Sequence, residues 1–198
     1  MSWGASSSDA RVLRTHHRVV DAFAQLLREA SFEELEVSEL VRRAQVARST
    51  FYAHYRGKDE VLRKTLGHFH AWLAEEFERA LEGRPQERLH FLLEHFLENA
   101  ELVRRTTSGA ARHAYERSLD DLGERLAPLC ERHAQRVGGR LLLPPALLGA
   151  GLARASMGLI LDWVRARPEA RCPSAELAAG VRRMVCAWVG AQLSAPTA

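Results

Sequence analysis

Residues 37–62 constrain the fold more than any other part of this 198-residue chain. Their apolar residues have the spacing of two short helices separated by a break at positions 45–47. Helices this short are unstable alone, so they must pack against neighbouring helices. The second one is rich in hydrogen-bonding side chains, namely Arg48, Ser49, Thr50, Tyr52 and His54. This combination is typical of a helix-turn-helix whose second helix enters the major groove of DNA.

The remaining chain also has helical periodicity, with no strand-like alternation and no internal repeat. A composition rich in Ala, Leu, Arg and Glu favours helices as well. We therefore predict an all-α protein of about nine helices, in which an N-terminal three-helix helix-turn-helix domain is joined by a long helix to a larger helical domain. The predicted helices cover about 11–30, 37–44, 48–54, 58–82, 86–99, 101–107, 110–137, 145–167 and a last segment from 174.

Charge and cysteine content exclude several classes of protein. The net charge is only +3, so DNA binding must depend on the placement of basic groups rather than on overall attraction. Cys130, Cys172 and Cys186 are too far apart for a disulfide framework or a zinc site, and we expect no cofactor. The first ten residues lack the features of a secretory signal. The longest uncharged apolar stretch, 141–153, is too short to span a bilayer. We expect a soluble, cytoplasmic protein with no membrane partner.

The order of side chains along the second short helix indicates how it would meet DNA. Residues 48–50 lie at its N-terminal end, where base edges are usually contacted. Tyr52 and His54 point toward the flanking phosphates, and Lys58 lies at the start of the next helix, where the helix dipole favours an anion. Phe51 and Tyr55 alternate with these groups and are expected to pack backward into the core.

The segment RSTFYAHYRGKDEVL, with the helix before it, closely resembles the DNA-binding domain of tetracycline-repressor (TetR) type regulators. The resemblance covers about residues 11–66, and the matching positions are Val37, Leu40, Ala44, Val46, Thr50, Phe51, Tyr52, His54, Tyr55, Lys58 and Leu62. It implies that Thr50, Tyr52, His54 and Lys58 hold phosphates. It also implies that Arg48 and Ser49 contact bases, with Ser38 of the preceding helix beside them.

The chain departs from the family pattern at three places. Gln45 stands where the family usually has Gly, and a left-handed Gln costs roughly 1–2 kcal/mol. Ala47 replaces the usual Ser, which removes a helix N-cap worth about 0.5–2 kcal/mol. Ser31 replaces a common Gly after the first helix. Together these departures affect the angle of the recognition helix rather than the existence of the motif.

Beyond residue 66 the chain is similar to the family in architecture, which implies an effector pocket and a dimer interface. We expect a flexible N-terminus at 1–10, the helix-turn-helix domain at 11–58, and an effector-binding and dimerisation domain at 59–198. The predicted pocket residues are Phe69, Trp72, Leu73, Leu93, Phe96, Tyr115, Leu119 and Met157. Possible polar anchors are His95, Asn99, His113 and Ser156, and the effector is expected to be mostly apolar, aromatic or cationic.

The last two helices have a wider apolar surface than one monomeric core requires. Gly151, Ala155 and Gly158 form a stripe of small residues that is tolerated where another helix approaches closely. We therefore expect a four-helix interface in a homodimer, built from two helices of each chain. The alternative is that both helices complete one monomer's core. The predicted interface residues are Leu152, Leu159, Trp163, Val181, Val185 and Trp188.

These features predict a DNA-binding transcriptional regulator that is not an enzyme. It would be a repressor, released from a palindromic operator by an unknown small-molecule effector. Two alternatives stay open. The chain could be a helical bundle that binds a protein partner. It could also be a metal-binding helical enzyme, since Glu87 and His90 match half of a di-iron motif.

Overall fold

The structure is a computed structural model that describes residues 7–85 and 88–194. Nine α-helices occupy most of this part of the chain. They are α1 (Ser7–Glu29), α2 (Val37–Ala44), α3 (Arg48–His54), α4 (Lys58–Leu81), α5 (Leu89–Glu98), α6 (Ala100–Thr107), α7 (Arg112–Arg136), α8 (Pro145–Arg165) and α9 (Ser174–Gly190). Two short strands, β1 (Arg140–Leu141) and β2 (Leu193–Ser194), pair antiparallel. The all-α fold class is confirmed.

Two features differ from the prediction. Helix α1 already includes residues 7–10, which were expected to belong to a flexible start, while residues 1–6 of that segment lie outside the described residues. The β1–β2 pair was not predicted, because strands of two residues are too short to have a recognisable alternation. This pair joins the loop before α8 to the end of α9.

A first hydrophobic core holds α1, α2 and α3 together with the start of α4. Phe23, Leu40 and Phe51 are among its fully buried members. Val61 and Leu62 of α4 also belong to it, so the core extends beyond the domain boundary expected at residue 58. The start of α4 therefore packs as part of the helix-turn-helix domain.

A second, larger core lies among α4, α5, α7, α8 and α9. Leu73, Leu122, Ile160 and Val185 are buried there without measurable exposure. Leu66 of α4 is half-buried and packs against both cores. Helix α4 is thus the main structural connection between the two domains.

Helices α7 and α8 approach each other closely through two glycines. A Cβ atom added to Gly149 would lie 2.4 Å from the Gly123 carbonyl oxygen, and one added to Gly123 would lie 2.9 Å from the Cα of Ala150. The predicted stripe of small residues on α8, Gly151, Ala155 and Gly158, does not form this contact with α7. Gly151 accommodates the Trp188 ring, whereas no atom lies within 4 Å of a Cβ added to Gly158. The closest helix approach therefore uses glycines that sequence analysis did not single out.

The structure divides the predicted dimer residues into two groups. Leu152, Val181 and Val185 are buried within one chain, and Trp163 is buried with its indole nitrogen donating to the Cys172 carbonyl. Because these four side chains are already buried within their own chain, they have little surface left for an outer interface, and their interface role stays a prediction. Only Leu159 and Trp188 are exposed, at 40% and 38%.

Helix α8 is the single described helix that is long and apolar enough to cross a membrane. Its mean hydropathy is 1.3 over the window concerned, of which 56% is buried inside the protein. Core helices of soluble proteins meet the same criteria, so α8 is only weak evidence for a membrane span.

Candidate functional sites

The turn between α2 and α3 sets the position of the candidate recognition helix. Gln45 adopts the left-handed conformation, with φ 52° and ψ 45°, and its N–H donates to the Arg42 carbonyl. Val46 N–H then donates to the Val41 carbonyl, which closes the C-terminus of α2. Helix α3 begins directly after Ala47, which makes no side-chain cap. The backbone therefore forms this turn at a site where Gly would be unstrained.

Helix α3 buries one face and exposes the other. Phe51 is fully buried and stacks near Tyr55, with ring centroids 5.2 Å apart. The Arg48 and Ser49 side chains are exposed and make no hydrogen bond to another described residue. Tyr52 is 55% exposed and packs edge-on against Phe51. The side chains predicted to meet DNA thus lie on the free face of a helix anchored from behind.

The other predicted DNA-binding residues flank this face. Thr50 is half-buried and His54 is half-buried at the end of α3. Ser38 is exposed on the first turn of α2, where its hydroxyl donates to the Glu36 carboxylate at 2.9 Å. The Ser38 contact is local to α2, and the placement of these three residues on DNA stays a prediction.

Lys58 has a different environment from the one predicted. Its ammonium donates to three backbone carbonyls of the loop between α1 and α2: those of Phe32, Glu33 and Leu35, at 2.8–2.9 Å. It also lies 5.1 Å from the centre of the Phe32 ring. All three N–H donors are therefore used within the protein. Its phosphate contact stays a prediction, and would require one of these bonds to be given up.

Two arginines of α1 belong to this region and were missed by sequence analysis. Arg14 and Arg18 line a groove of about 320 Å³ that also includes Gln45 and Thr50. The Arg18 guanidinium donates to the Gln45 side-chain oxygen at 3.1 Å. Their four-residue spacing on the polar side of α1 was the available signal. They are additional candidates for phosphate contact.

A histidine cluster connects α1, α4 and the end of α3. The Nε2 atoms of His16 and His68 lie 2.7 Å apart, and His16 Nδ1 forms a short hydrogen bond with the Tyr55 hydroxyl. Burial lowers the pKa of His16, and the nearby His68, His17, Lys64 and His54 add to this effect. Lys64 donates to the His54 carbonyl at 2.6 Å. The position of α3 is therefore tied to both long helices.

A cavity of about 400 Å³ lies where the two domains meet. Four predicted pocket residues line it, namely Phe69, Phe96, Tyr115 and Met157, and so do His95 and Asn99. Leu73, Leu93 and Leu119 are instead buried in the second core, and Trp72 is 55% exposed. Ser156 donates to the Leu152 carbonyl within α8, and His113 lines a separate polar groove. Periodicity identified buried residues, but could not separate core from cavity wall.

Part of the cavity wall comes from the helix-turn-helix domain, which sequence analysis did not predict. Helix α1 contributes Phe23, Ala24 and Leu27, and α4 contributes Leu62 and Leu66. The periodic pattern of α1 was assigned entirely to its own domain's core. It could not show that the same face continues to a neighbouring domain.

The described residues contain no group of three or more His, Cys, Asp or Glu side chains that could hold a metal ion. Glu87, which completes the half di-iron motif with His90, lies outside the described residues. The geometry therefore provides no support for the metal-binding alternative in the part of the chain that is described.

Comparison with known proteins agrees with this architecture. Residues 19–65 match the family described as bacterial regulatory proteins, tetR family. The chain is also similar to Thermus thermophilus FadR, a TetR-family repressor solved in complex with lauroyl-CoA, with 28% identity, a TM-score of 0.52, and coverage of 86% of this chain and 92% of that one. A search of curated proteins gave no match.

Two further solved structures show the fold alone. A protein of Syntrophomonas wolfei, described among TetR-family regulators, has 14% identity and a TM-score of 0.59, covering 89% of this chain and 95% of that one. The repressor AlkX of Dietzia has 17% identity and a TM-score of 0.54, with coverage of 89% and 98%.

The fold and the matched segment define an N-terminal helix-turn-helix domain of the kind found in TetR-family transcriptional regulators, followed by a larger helical domain. Over residues 19–65 the chain is similar to the TetR family of bacterial regulators, and its architecture is similar to that of solved TetR-family structures. The resemblance stated from the sequence is confirmed.

Proposed function

We propose that the protein is a homodimeric repressor that binds a palindromic operator and leaves it when a small, mostly apolar effector binds. The observation that carries the proposal is the exposed face of α3. The Arg48, Ser49 and Tyr52 side chains are exposed there and make no hydrogen bond to another described residue, on a helix whose opposite face is anchored by Phe51. In this family, regulators of the same architecture bind DNA as dimers. The protein would act in the cytoplasm, without catalytic activity of its own.

The proposed division of labour on DNA follows from position along the helices. Arg48 and Ser49, at the N-terminal end of α3, would contact base edges. Ser38 of α2 would join these base contacts, whereas Thr50, Tyr52 and His54 would hold the flanking phosphates, with the α1 arginines beside them. Two recognition helices in a dimer would lie about 34–36 Å apart, or a multiple of this distance, to enter successive major grooves.

Release by an effector requires a connection between the two domains, and the described contacts provide one. Arg105 of α6 donates to the carbonyls of Leu27 and Ala30 at the C-terminal end of α1, at 3.0 and 3.2 Å. Arg63 of α4 pairs with Asp121 of α7 at 2.7 Å. A ligand that moves α4 or α6 would therefore displace α1 and the helix-turn-helix. FadR was solved with lauroyl-CoA, whose acyl chain is apolar although its coenzyme A part is strongly anionic, and only that chain supports the apolar part of the proposal.

The experiment is selection of genomic fragments by the purified full-length protein, followed by footprinting of the enriched sites. We expect a protected palindrome, and a changed base preference for Arg48→Ala. Arg42→Ala is the matched control, because Arg42 is exposed on α2 and paired with Glu39 at 2.6 Å. Its base preference should stay that of the wild type. Failure to enrich any fragment over random competitor DNA at moderate salt would refute the proposal.

A further inference from the structure

The cavity of about 400 Å³ separates the two hydrophobic cores. One wall consists of Phe23, Leu27 and Leu62, which are members of the helix-turn-helix core. The opposite wall includes Phe96, Met157 and Leu161 of the larger core. A molecule in this space would contact both domains at once. Its effect on the DNA-binding domain would therefore be direct and would not depend on movement of α4.

The hydrogen-bonding groups inside the cavity are few, and most are already used. The hydroxyls of Thr65, Thr106 and Thr107 each donate to a carbonyl of their own helix, at 2.8–2.9 Å. The Tyr115 side chain is only 8% exposed, and no hydrogen bond links its hydroxyl to another described residue. Burial raises the pKa of Tyr115 to about 12, so the hydroxyl keeps its proton. It is a free hydrogen-bond donor in an otherwise apolar wall.

The ionisable residues of the cavity lining lie at its edge, and one further charge contacts the wall, because the Arg165 guanidinium donates to the Thr107 hydroxyl at 3.1 Å. Asp21, Arg28 and His95 are the ionisable lining residues apart from Tyr115, and all three are exposed. Arg28 also donates to the Asn99 side chain at 3.4 Å. A cation in the interior would lose its hydration without meeting a buried carboxylate, and an anion would meet only Arg165, whose guanidinium is already bonded to Thr107. Either loss of hydration is costly. The interior therefore favours an uncharged molecule.

We propose that this domain-junction cavity is the effector site, and that it takes an uncharged apolar molecule with one hydrogen-bond acceptor, such as a carbonyl or ether oxygen, bound to the Tyr115 hydroxyl. The inference rests on the proposed function, and adds the location and the ligand class. It also assigns a direct role to α1, whose Ala24 and Phe23 form the wall. An occupant larger than the present space displaces α1 from α6 and α7, and with it the helix-turn-helix.

Nile red is a suitable probe, because it is neutral, aromatic and carries a carbonyl acceptor. Its fluorescence is measured on titration into the full-length protein and four variants. We expect Tyr115→Phe to weaken binding about three- to tenfold, as for one lost hydrogen bond. Ala24→Trp, which fills the cavity from α1, should abolish saturable binding. Met157→Trp fills the cavity from α8, and it provides the same test if Ala24→Trp does not fold. Trp72→Ala is the matched control outside the cavity and should bind like the wild type.

Charge selectivity and coupling complete the test. Cresyl violet has a similar ring system but is cationic, and should bind at least tenfold more weakly. A selected operator duplex should weaken Nile red binding by the same factor by which the dye weakens DNA binding, since the coupling is reciprocal. Saturable binding unchanged in both cavity-filling variants, or tighter binding of the cation, would overturn the inference. If no genomic DNA is selected but Nile red binds as expected, the proposed function is refuted and the location of the binding site is not.

Discussion

Gln45 is the only described non-glycine residue with a positive φ, and it lies at the turn on which the recognition helix depends. Its backbone conformation is disfavoured for any residue with a Cβ. The Arg18 side chain holds the Gln45 amide at the surface, where such a bond contributes little. The turn is therefore strained at Gln45, at the position where the family usually has Gly.

We predict that Gln45→Gly raises the free energy of unfolding by about 0.5–1 kcal/mol, because the gain from relieving the strain exceeds the entropy cost of Gly. Urea denaturation of the full-length protein measures it. Gln25→Gly is the matched control. Gln25 is exposed inside α1, so the same change should cost roughly 1 kcal/mol there. A loss of stability at position 45 would contradict the strain argument.

His70 is a second residue whose environment is unfavourable. Its side chain has no measurable exposure, and neither ring nitrogen has a hydrogen bond to a described residue. Burial lowers the pKa of His70 to about 4, from an ordinary value of 6.5. The Ser118 backbone opposes this shift, but it lies outside hydrogen-bonding geometry. The ring is therefore neutral in the folded protein at physiological pH.

This lowered pKa predicts a specific acid dependence of stability. Between pH 6.5 and about 4 the unfolded chain binds a proton at position 70 and the folded chain does not, so stability falls as pH falls. The loss attributable to this residue is roughly 3 kcal/mol at the acid end. His70→Phe should reduce this loss, measured as the melting temperature against pH. His113→Phe makes the same change at an exposed position, and should retain the wild-type profile.

At the scale of elements, the contact between α7 and α8 depends on Gly123 and Gly149. The atoms that a new Cβ would meet are backbone atoms of the facing helix, which cannot move aside independently. We predict that Gly149→Ala forces the helices apart and lowers the free energy of unfolding by about 2–4 kcal/mol. Gly67→Ala on α4 is the control, because a Cβ there meets no atom within 4 Å. It should be neutral or stabilising by up to about 1 kcal/mol.

Lys58 acts between elements, since it joins the start of α4 to the loop between α1 and α2. We predict that Lys58→Ala lowers the free energy of unfolding by about 2–3 kcal/mol, because three carbonyls lose a charged donor. Thermal unfolding measures this effect. The salt dependence of operator binding tests the separate phosphate role: a slope smaller by about one unit per subunit would support it. An unchanged melting temperature would contradict a stabilising role for the three Lys58 hydrogen bonds.

The elements were predictable where local signals determine them. Helices α2 and α3 begin and end as the apolar spacing and the break at 45–47 predict. Interactions between elements were not predictable in the same way. Val181 and Val185 are as apolar as an interface requires, and only the packing of α9 on α5, α4 and α8 shows that they point inward. The same holds for Lys58, whose partners lie 23–26 residues earlier in the chain.

At the scale of the whole molecule, α4 and α1 provide the contacts that join the two hydrophobic cores. Leu66 packs on both cores, the histidine cluster joins α1 to α4, and Arg105 fixes the end of α1 to α6. Leu66 also lines the junction cavity, as does Leu27, whose carbonyl accepts from Arg105. Under the proposed function, a ligand in this cavity would shift α1 without unfolding either core. Coupling of about 1–3 kcal/mol between effector and DNA would be typical.

The dimer is the other property of the whole molecule, and the exposed surface of α8 and α9 limits where it can form. Leu147 is 61% exposed on α8 on the same stripe as Gly151, Ala155 and Gly158, with Leu159 adjacent. Trp188 of α9 packs over Gly151 and leaves 38% of its surface exposed. Small residues beside large apolar ones allow a second helix pair to approach closely. This surface is the proposed dimer interface.

We predict that Trp188→Asp produces folded monomers, because the aspartate would bury an unpaired charge at the centre of that interface. Sedimentation velocity over a range of protein concentrations measures the assembly state, and circular dichroism verifies that the helices remain. Phe91→Asp is the control: Phe91 is 62% exposed on α5, and the same change there should leave the dimer intact. Dimers that persist in the Trp188 variant at low concentration would place the interface on another face. Monomers of the wild type would exclude recognition of a palindrome by a preformed pair of α3 helices, and each half-site would then be bound independently.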